Sequence, residues 1–549
     1  MSSSQSNVHS TGAVADGSGA APGAPAPLET HRAQLLERLA NTGKVDLLIV
    51  GGGATGLGLA LDASLRGLSV VLLEARDFAK GTSSRATKLV HGGVRYLAQG
   101  NVALVREALH ERRKLLRNAS HLAAPLAFVM PSYKCWETPF YGVGLKAYDA
   151  LAGQAGLGRT ELLSTRQTLA CLPGVRSAGL KGGVKYWDGQ FDDARLALAL
   201  ARSAAAQGAL LVNYGPVVGL LHEKGRVTGV RYQAEGSDTP GTIEANCVVN
   251  ATGVWVDELR HMDDAHAGRP TETMVTPSQG VHLVVDADFF PGDHALLVPR
   301  TRDGRVLFAV PWLGKLILGT TDTPRTEIEV EPLALAEEVR FILSEAAHYL
   351  SRAPRPEDVR SVWVGLRPLV RPPREAGDTK KINREHTVVV SDSGLVTVTG
   401  GKWTTYRSMA EDVLAKCVDA NLLGRLPPCE TADFLLVGAT ARQANSSLGG
   451  APGLHSYGTE ARWVTQLPGR DNVVAEGLTE AMVRFAVRYE YAQTVEDVLA
   501  RRSRLLFLDA AKAAEVAPVV ARIVQEETGS APGLDAFLAL AEQYRRVPA

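Results

Sequence analysis

Two apolar runs near the start of the chain, 45–50 and 69–73, are each too short and too continuous for a surface helix. They are separated by Gly51-Gly52-Gly53-Ala54-Thr55-Gly56-Leu57-Gly58 and a small-residue apolar stretch, and the second run ends in Glu74. This order predicts strand, glycine turn, helix and strand, a βαβ unit opening a parallel sheet. The same alternation returns after Asp192-Asp193-Ala194-Arg195. Leu196, Leu198, Ala199 and Leu200 start an Ala-rich helix to about Gln207, followed by a strand over 209–214. A hairpin is expected around Glu223-Lys224-Gly225-Arg226, then a buried strand ending in a small-residue turn over 247–253. Helices alternating with apolar strands predict an α/β fold whose mainly parallel sheet is assembled from separated pieces.

The pattern changes at about residue 272. His282-Leu283-Val284-Val285, Arg305-Val306-Leu307-Phe308-Ala309-Val310 and Lys315-Leu316-Ile317-Leu318-Gly319 read as successive strands, with Asp303-Gly304 as a hairpin turn. They predict an antiparallel sheet walling a substrate cavity. A strand over 394–401 returns to the first unit and leads into a helix with Met409, Val413, Leu414 and Cys417 on one face. Beyond 430 the helical period dominates, with Thr494 and Asp497 placed as a capping box before Val495, Val498 and Leu499, and a further helix over about 509–526. The expected organisation is a tail at 1–28 and an oxidoreductase-sized unit at 41–428. In that unit the nucleotide-binding parts are 44–135, 185–270 and 385–425, and the substrate part is 272–384. A separate helical domain, with no catalytic constellation, follows at 430–549.

The first turn carries specific chemistry. Gly51 permits the tight turn, Gly53 lets backbone approach a pyrophosphate, and Gly56 lets helix and strand pack closely. The helix N-terminus offers N–H groups to phosphate, and Glu74 is placed to accept from ribose hydroxyls. The alternative is a purely structural βαβ turn.

Composition narrows the classes. Lys plus Arg and Asp plus Glu both total 59, which gives no electrostatic case for nucleic acid. Five cysteines form no CxxC pair and no Cys/His cluster, so reduced thiols and no metal site are expected. Residues 1–28 are rich in Ser, Gly, Ala and Pro and lack the basic-then-apolar order of a signal peptide, which predicts disorder. No apolar window reaches about 18 residues, so no spanning helix is expected.

Four polar, glycine-rich segments stand between apolar strands. Gly81-Thr82-Ser83-Ser84-Arg85-Ala86-Thr87-Lys88-Leu89-Val90-His91-Gly92-Gly93-Val94-Arg95-Tyr96 suits a loop against a phosphate and a flat ring, or else a solvated loop. In Ser278-Gln279-Gly280-Val281-His282, period two puts His282 on the face of Gly280, pointing into a cavity or serving as a satisfied core histidine. Arg367 in Trp363-Val364-Gly365-Leu366-Arg367-Pro368-Leu369, bordered by apolar residues, and Arg384 in Ile382-Asn383-Arg384-Glu385-His386 call for an anion or for a structural carboxylate partner. Gly400-Gly401-Lys402-Trp403-Thr404 places another helix N-terminus near something planar or negative, or is a plain connection.

Together these segments resemble the FAD-dependent glycerol-3-phosphate dehydrogenases of the quinone-linked type. The matching stretches include GGGATGLGLALDASLRGLSVVLLEARDFAKGTSSRATKLVHGGVRYL, DGQFDDARL, VVNATGVW, GTTDT, VGLRPLV, REHTV and TGGKWTTYR. They cover about 44 to 410, and RYEYAQTVEDVLARRSRLLFLD is similar to the family's C-terminal domain. The resemblance implies an FAD-binding Rossmann-like domain with an interleaved antiparallel-sheet substrate domain. It implies FAD at Gly51, Gly53, Gly56 and Glu74. Thr82, Ser83, Ser84, Lys88, His91 and Gly92 would lie along diphosphate and flavin, Val217 and Gly253 near the adenine end, and Gly400, Gly401, Lys402 and Thr404 beside the flavin. The implied substrate residues are Arg95, Tyr96, His282, Arg367, Arg384 and Lys402, acting on glycerol 3-phosphate. His282, of a type titrating near ~6.5, would accept the C2 hydroxyl proton. The implied acceptor is a membrane quinone, reached from a peripheral position on the cytoplasmic face of the cell membrane, with no calcium-binding extension.

Phe140-Tyr141-Gly142-Val143-Gly144-Leu145-Lys146-Ala147-Tyr148 is the expected membrane contact, against the alternative of a packed helix. The oligomeric state stays open, a homodimer included. Rival functions are a glycerol-3-phosphate oxidase using oxygen, an amine or amino-acid oxidase of the same broad fold, and a silent flavoprotein scaffold.

Overall fold

The computed structural model describes residues 26–94, 101–237, 239–302, 304–371, 386–441 and 447–548. The expected tail therefore lies outside the described residues up to position 25.

Strand Val45–Val50 sits inside the first sheet, whose order is His386–Val390, Val396–Gly400, Gly241–Asn250, Val45–Val50, Val70–Leu73, Leu210–Val212. Ile49 pairs in parallel with Val249 on one side and Leu72 on the other. Leu47, Leu48 and Ile49 are fully buried, because helices cover both faces of such a sheet and leave no polar side. Helix Ala54–Leu65 packs between Asp193–Ala206 and Tyr406–Asp419. The expected hairpin forms from Val217–Glu223 and Arg226–Tyr232 and extends this sheet antiparallel to Gly241–Asn250. Residues about 140 positions apart thus meet at the mouth of the first turn.

Among the described residues the second sheet has ten strands and is almost wholly antiparallel, with Val275–Asp286 between Lys315–Gly319 and Ser361–Val370. It corrects the expected boundaries. Leu89–Val90 and Ala123–Ser132, expected in the nucleotide-binding part ending at 135, and Gly182–Phe191, overlapping the part expected to open at 185, belong to this sheet, and they pair ladder-wise with one another or continue to Ala295–Val298. The physical reason is pairing: Ala123–Ser132 and Gly182–Phe191 match over ten residues, a ladder that the parallel sheet could not offer.

The helix expected over 509–526 is Ala510–Thr528, preceded by Glu480–Tyr489 and followed by Leu534–Arg545, which was not placed from sequence. Thr494 and Asp497 form the expected reciprocal pair, Asp497 N–H donating to Thr494 Oγ1 at 3.2 Å and Thr494 N–H to Asp497 Oδ2 at 3.0 Å. The helix that follows, Asp497–Arg502, is π-helical. This region is not a separate body. Phe485, Leu499, Phe507 and Val520 share one continuous core with Ile317, Trp312 and Trp363 of the second sheet. Apolar faces on both units are buried only by being pressed together.

Candidate active site

The first turn is built for close approach. Gly51 has φ +112°, and a Cβ there would lie 2.6 Å from the Ala251 carbonyl oxygen. A Cβ on Gly56 would lie 1.9 Å from the Gly51 oxygen, so no side chain fits between helix and turn. Gly53 caps helix Ala54–Leu65. Glu74 accepts from Gly52 N–H at 2.6 Å and Arg76 N–H at 2.8 Å, which fixes its carboxylate at the strand end while burial pushes its pKa up. Gly215 N–H donates to the Glu74 carbonyl at 2.8 Å, bringing the start of the Val217 strand beside it.

Segment 82–92 lies across this turn. Ser83 Oγ accepts from Ala54 N–H at 2.9 Å, Trp403 Nε1–H donates to the Ser83 carbonyl at 2.9 Å, and His91 N–H donates to Thr404 Oγ1 at 3.3 Å. Thr399 Oγ1 donates to the Gly253 carbonyl at 3.0 Å. Gly253, Gly400 and Gly401 have φ of +66°, +82° and +75°, left-handed conformations that favour glycine. Three sequence-distant stretches therefore converge on one partly buried groove at the first turn. Tight glycines, a helix N-terminus and a carboxylate at the second strand end together fit the adenosine diphosphate and ring of a flavin dinucleotide.

The other wall is the face of Val275–Asp286 and Ser361–Val370 that carries His282, Gly280, Trp363, Gly365 and Arg367. Gly280 opposes Gly365, and His282 stands between Gly319 and Trp363. The small residues make room for the large ones: a Cβ on Gly280 would lie 2.4 Å from Arg367 Nη2, and one on Gly319 would lie 2.7 Å from His282 Cδ2. The imidazole stacks on Trp363 at 4.0 Å and 16°, and its Nε2 meets Thr87 Oγ1 at 2.9 Å. Burial, then the charges of Arg367 and Lys88, hold its pKa well below 6.5, so the ring is neutral near pH 7. Its Nδ1 is buried without a hydrogen-bond partner among the described residues. Arg367 Nη1 donates to Asp322 at 3.1 Å and Nη2 to Thr320 Oγ1 at 3.4 Å. Asp322 also accepts from Ser278 Oγ. The Arg367 pair is only half-withdrawn from water, its side chains 25% and 40% exposed, and a guanidinium has five N–H donors to share.

This geometry can be set beside known proteins. Residues 46–407 match the profile of the FAD dependent oxidoreductases, and residues 429–532 that of the C-terminal domain of alpha-glycerophosphate oxidase. The mitochondrial glycerol-3-phosphate dehydrogenase of Bos taurus is 41% identical over 534 residues, covering 91% of this chain and 72% of that protein. The corresponding Saccharomyces cerevisiae protein is 36% identical, covering 91% and 89%. A Bacillus halodurans glycerol-3-phosphate dehydrogenase complexed with FAD superposes with a TM-score of 0.74 at 30% identity, over 94% of this chain and 98% of that one. The chain belongs to the FAD-dependent glycerol-3-phosphate dehydrogenase family. It is an oxidoreductase and a flavoprotein, and its cofactor is FAD. An alpha-glycerophosphate oxidase from Mycoplasma pneumoniae, 18% identical with a TM-score of 0.55, shares the fold.

For a dehydrogenase of this family the structure sorts the expected residues. His282 and Arg367 meet on one face, and Thr404, Gly400, Gly401, Gly253 and Ser83 gather at the groove. Arg95, Tyr96 and Arg384 lie outside the described residues. One expectation is corrected. The Lys88 side chain does not run along a diphosphate: it is fully buried, with Nζ donating to Asp193 at 2.7 Å and to the Ser84 carbonyl at 2.8 Å. Burial, then Arg504, pushes its pKa down to about 7. Its left-handed backbone, φ +64°, turns the side chain inward, towards the rings of Trp363 at 4.7 Å and Trp312 at 5.1 Å.

The aromatic segment also divides. Tyr148 is buried, donating to Asp188 at 3.0 Å and accepting from Gly92 N–H at 2.9 Å, while Phe140 and Val143 are exposed. Thr87, Trp363 and Asp322 were not singled out from sequence. Thr87 and Asp322 stand in polar runs that carry no periodicity, and the apolar neighbours of Trp363 make it read as core.

Proposed function

We propose that this enzyme oxidises sn-glycerol 3-phosphate at C2 to dihydroxyacetone phosphate and passes the electrons to a membrane quinone. When bound, FAD supplies the acceptor for the C2 hydride at N5. The protein's own groups do the rest. Arg367 presents a planar fork suited to phosphate oxygens, with Asp322 and Thr320 fixing its direction. Lys402 stands two residues beyond the strand end at Gly400 and adds a second cation, and Arg95, Tyr96 and Arg384 complete the proposed substrate set. His282, neutral because burial disfavours its charged form, takes the C2 hydroxyl proton, and Thr87 fixes its ring through Nε2. Gly51, Gly53, Gly56, Glu74, Thr82, Ser83, Ser84, His91, Gly92, Val217, Gly253, Gly400, Gly401 and Thr404 are the proposed cofactor contacts.

The observation that carries this reading is the common face of His282 and Arg367, a neutral base and a cation separated by one glycine position on the wall opposite the nucleotide turn. Anaerobic titration tests it: sn-glycerol 3-phosphate bleaches the flavin, and amino acids do not. Reoxidation then divides dehydrogenase from oxidase, with quinone reduced and little peroxide formed. Bleaching by an amino acid alone would overturn the reading.

Among the described residues no helix is long and apolar enough to cross a membrane. The proposed contact with the cytoplasmic face of the cell membrane is the exposed set Trp136, Phe140 and Val143, on and just before helix Glu137–Ala152 and beside exposed Leu162. Trp136 and Phe140 meet edge-to-face at 5.7 Å. Such a patch inserts into a headgroup layer. Replacing Trp136 and Phe140 by Ser is expected to abolish liposome binding while leaving flavin bleaching intact. Unchanged binding would remove this surface from the account.

A further inference from the structure

Segment 77–88 is held from one side by the C-terminal helices, through the edge-to-face contact of Phe78 with Tyr491 and a set of ion pairs. Asp77 accepts from Arg501 and Arg502, and Lys80 pairs with Glu496. Arg85 donates to Glu331 at 2.6 Å, and Glu331 in turn accepts from Tyr544 OH at 3.1 Å. The innermost tether is Arg504, whose Nη2 donates to the Ser84 carbonyl at 2.8 Å and to Asp193 at 3.1 Å. Arg504 is 1% exposed, left-handed at φ +67°, and lies over the Phe507 ring at 4.3 Å.

Apolar packing alone would not need this arrangement. Burying a guanidinium is costly unless its donors are met, and here two of them end on a single main-chain carbonyl and a carboxylate of the oxidoreductase unit. The Ser84 carbonyl also accepts from Lys88 Nζ, and Ala86 N–H donates to Asp193 at 2.9 Å, so the path of 84–88 is fixed at three points. The segment contains two left-handed non-glycine residues, Ala79 and Lys88, which the surroundings must hold in place. Each is adjacent in sequence or space to one of these tethers. On the outer side, the same segment presents Ser83 to the helix N-terminus at Ala54 and Thr87 to His282.

We propose that the C-terminal helical domain is a clamp on the cofactor loop, with Arg504 as the positioning residue that holds 84–88 so that Ser83 and Thr87 face the flavin groove and His282. Arg504 touches neither reactant. It acts through the Ser84 carbonyl and Asp193.

The test uses the FAD-loaded full-length protein with Arg504→Asn, because Asn tolerates the left-handed backbone while removing the guanidinium. Losing a buried charged donor predicts flavin release faster by about tenfold or more and a comparable fall in kcat, with substrate KM nearly unchanged. Arg504→Lys, which keeps a charged donor, restores most of both. A variant that melts earlier yet keeps flavin affinity and turnover per bound flavin within about twofold overturns the proposal. If Arg504→Asn does not fold, hydrogen exchange on the unaltered holoenzyme decides. Amides of 84–88 are expected to open together with those of 500–508 as denaturant is raised, and independent opening of 84–88 about a hundredfold faster would refute the clamp. Flavin release and exchange involve no substrate, so these readouts stand or fall apart from the assignment of glycerol 3-phosphate.

Discussion

The two walls of the groove handle polar groups in opposite ways. The wall around Gly51–Gly58 works by subtraction: missing side chains let backbone N–H groups and a helix end come forward, and the turn itself is one short stretch of chain. The wall around His282 and Arg367 works by placement. Its charged and aromatic side chains come from strands Val275–Asp286 and Ser361–Val370, from segment 82–88 and from the C-terminal helices, and His282 and Arg367 fit only because Gly319 and Gly280 are glycines. The first wall is therefore vulnerable to added atoms, and the second to lost charges and donors.

The largest effect is expected on the first wall. Gly56→Val puts atoms where 1.9 Å is free even for a Cβ, so the turn cannot close; the protein is expected to purify colourless or not at all, read by flavin absorbance and melting temperature. On the second wall, His282→Asn is expected to lower kcat by about 100- to 10,000-fold while flavin stays bound, measured in single-turnover reduction. Because the folded His282 pKa lies well below 6.5, kcat/KM should run flat through pH 6.5 and fall only in more acid solution. The linkage has the same sign: the unfolded chain takes up this proton at about 6.5 and the folded one does not, so stability is lost as pH falls below that value. An inflection at 6.5 that vanishes in His282→Asn would contradict the burial argument.

Arg367→Met should raise KM by about a hundredfold, the worth of two charge-assisted bonds, and Arg367→Lys should recover only part because it cannot bind bidentately. The smallest effect belongs to Tyr148→Phe, which leaves Gly92 N–H and Asp188 short of a partner. A loss of about 1–3 kcal/mol is expected from urea midpoints at unchanged slope.

The same contrast explains what was legible in the chain. The turn at Gly51, the strand ending in Glu74, the hairpin at 223–226 and the strand Lys315–Gly319 are local, and spacing alone placed them. His282 could be placed on the face of Gly280 because strands have period two. The partner across that face, Arg367 reaching over Gly280, depends on which strands pair, and periodicity does not encode partners. The ladder between Ala123–Ser132 and Gly182–Phe191 was missed for the same reason. Lys88 was misread because it stands in a polar loop, where a lysine is ordinarily solvated. The distant Asp193, the Ser84 carbonyl and the rings of Trp312 and Trp363 make its burial tolerable. Arg504 was invisible because two of its partners are main-chain carbonyls, which have no sequence signal, and its carboxylate partner, Asp193, lies 311 residues away.

The most direct test of the joint action of both walls is anaerobic stopped-flow reduction of the bound flavin by sn-glycerol 3-phosphate, protiated or deuterated at C2, with glycerol as control. The account predicts bleaching that slows severalfold on deuteration and is lost with glycerol, which has no phosphate for Arg367. Bleaching by glycerol as fast as by the phosphate ester, or none by either, would contradict it.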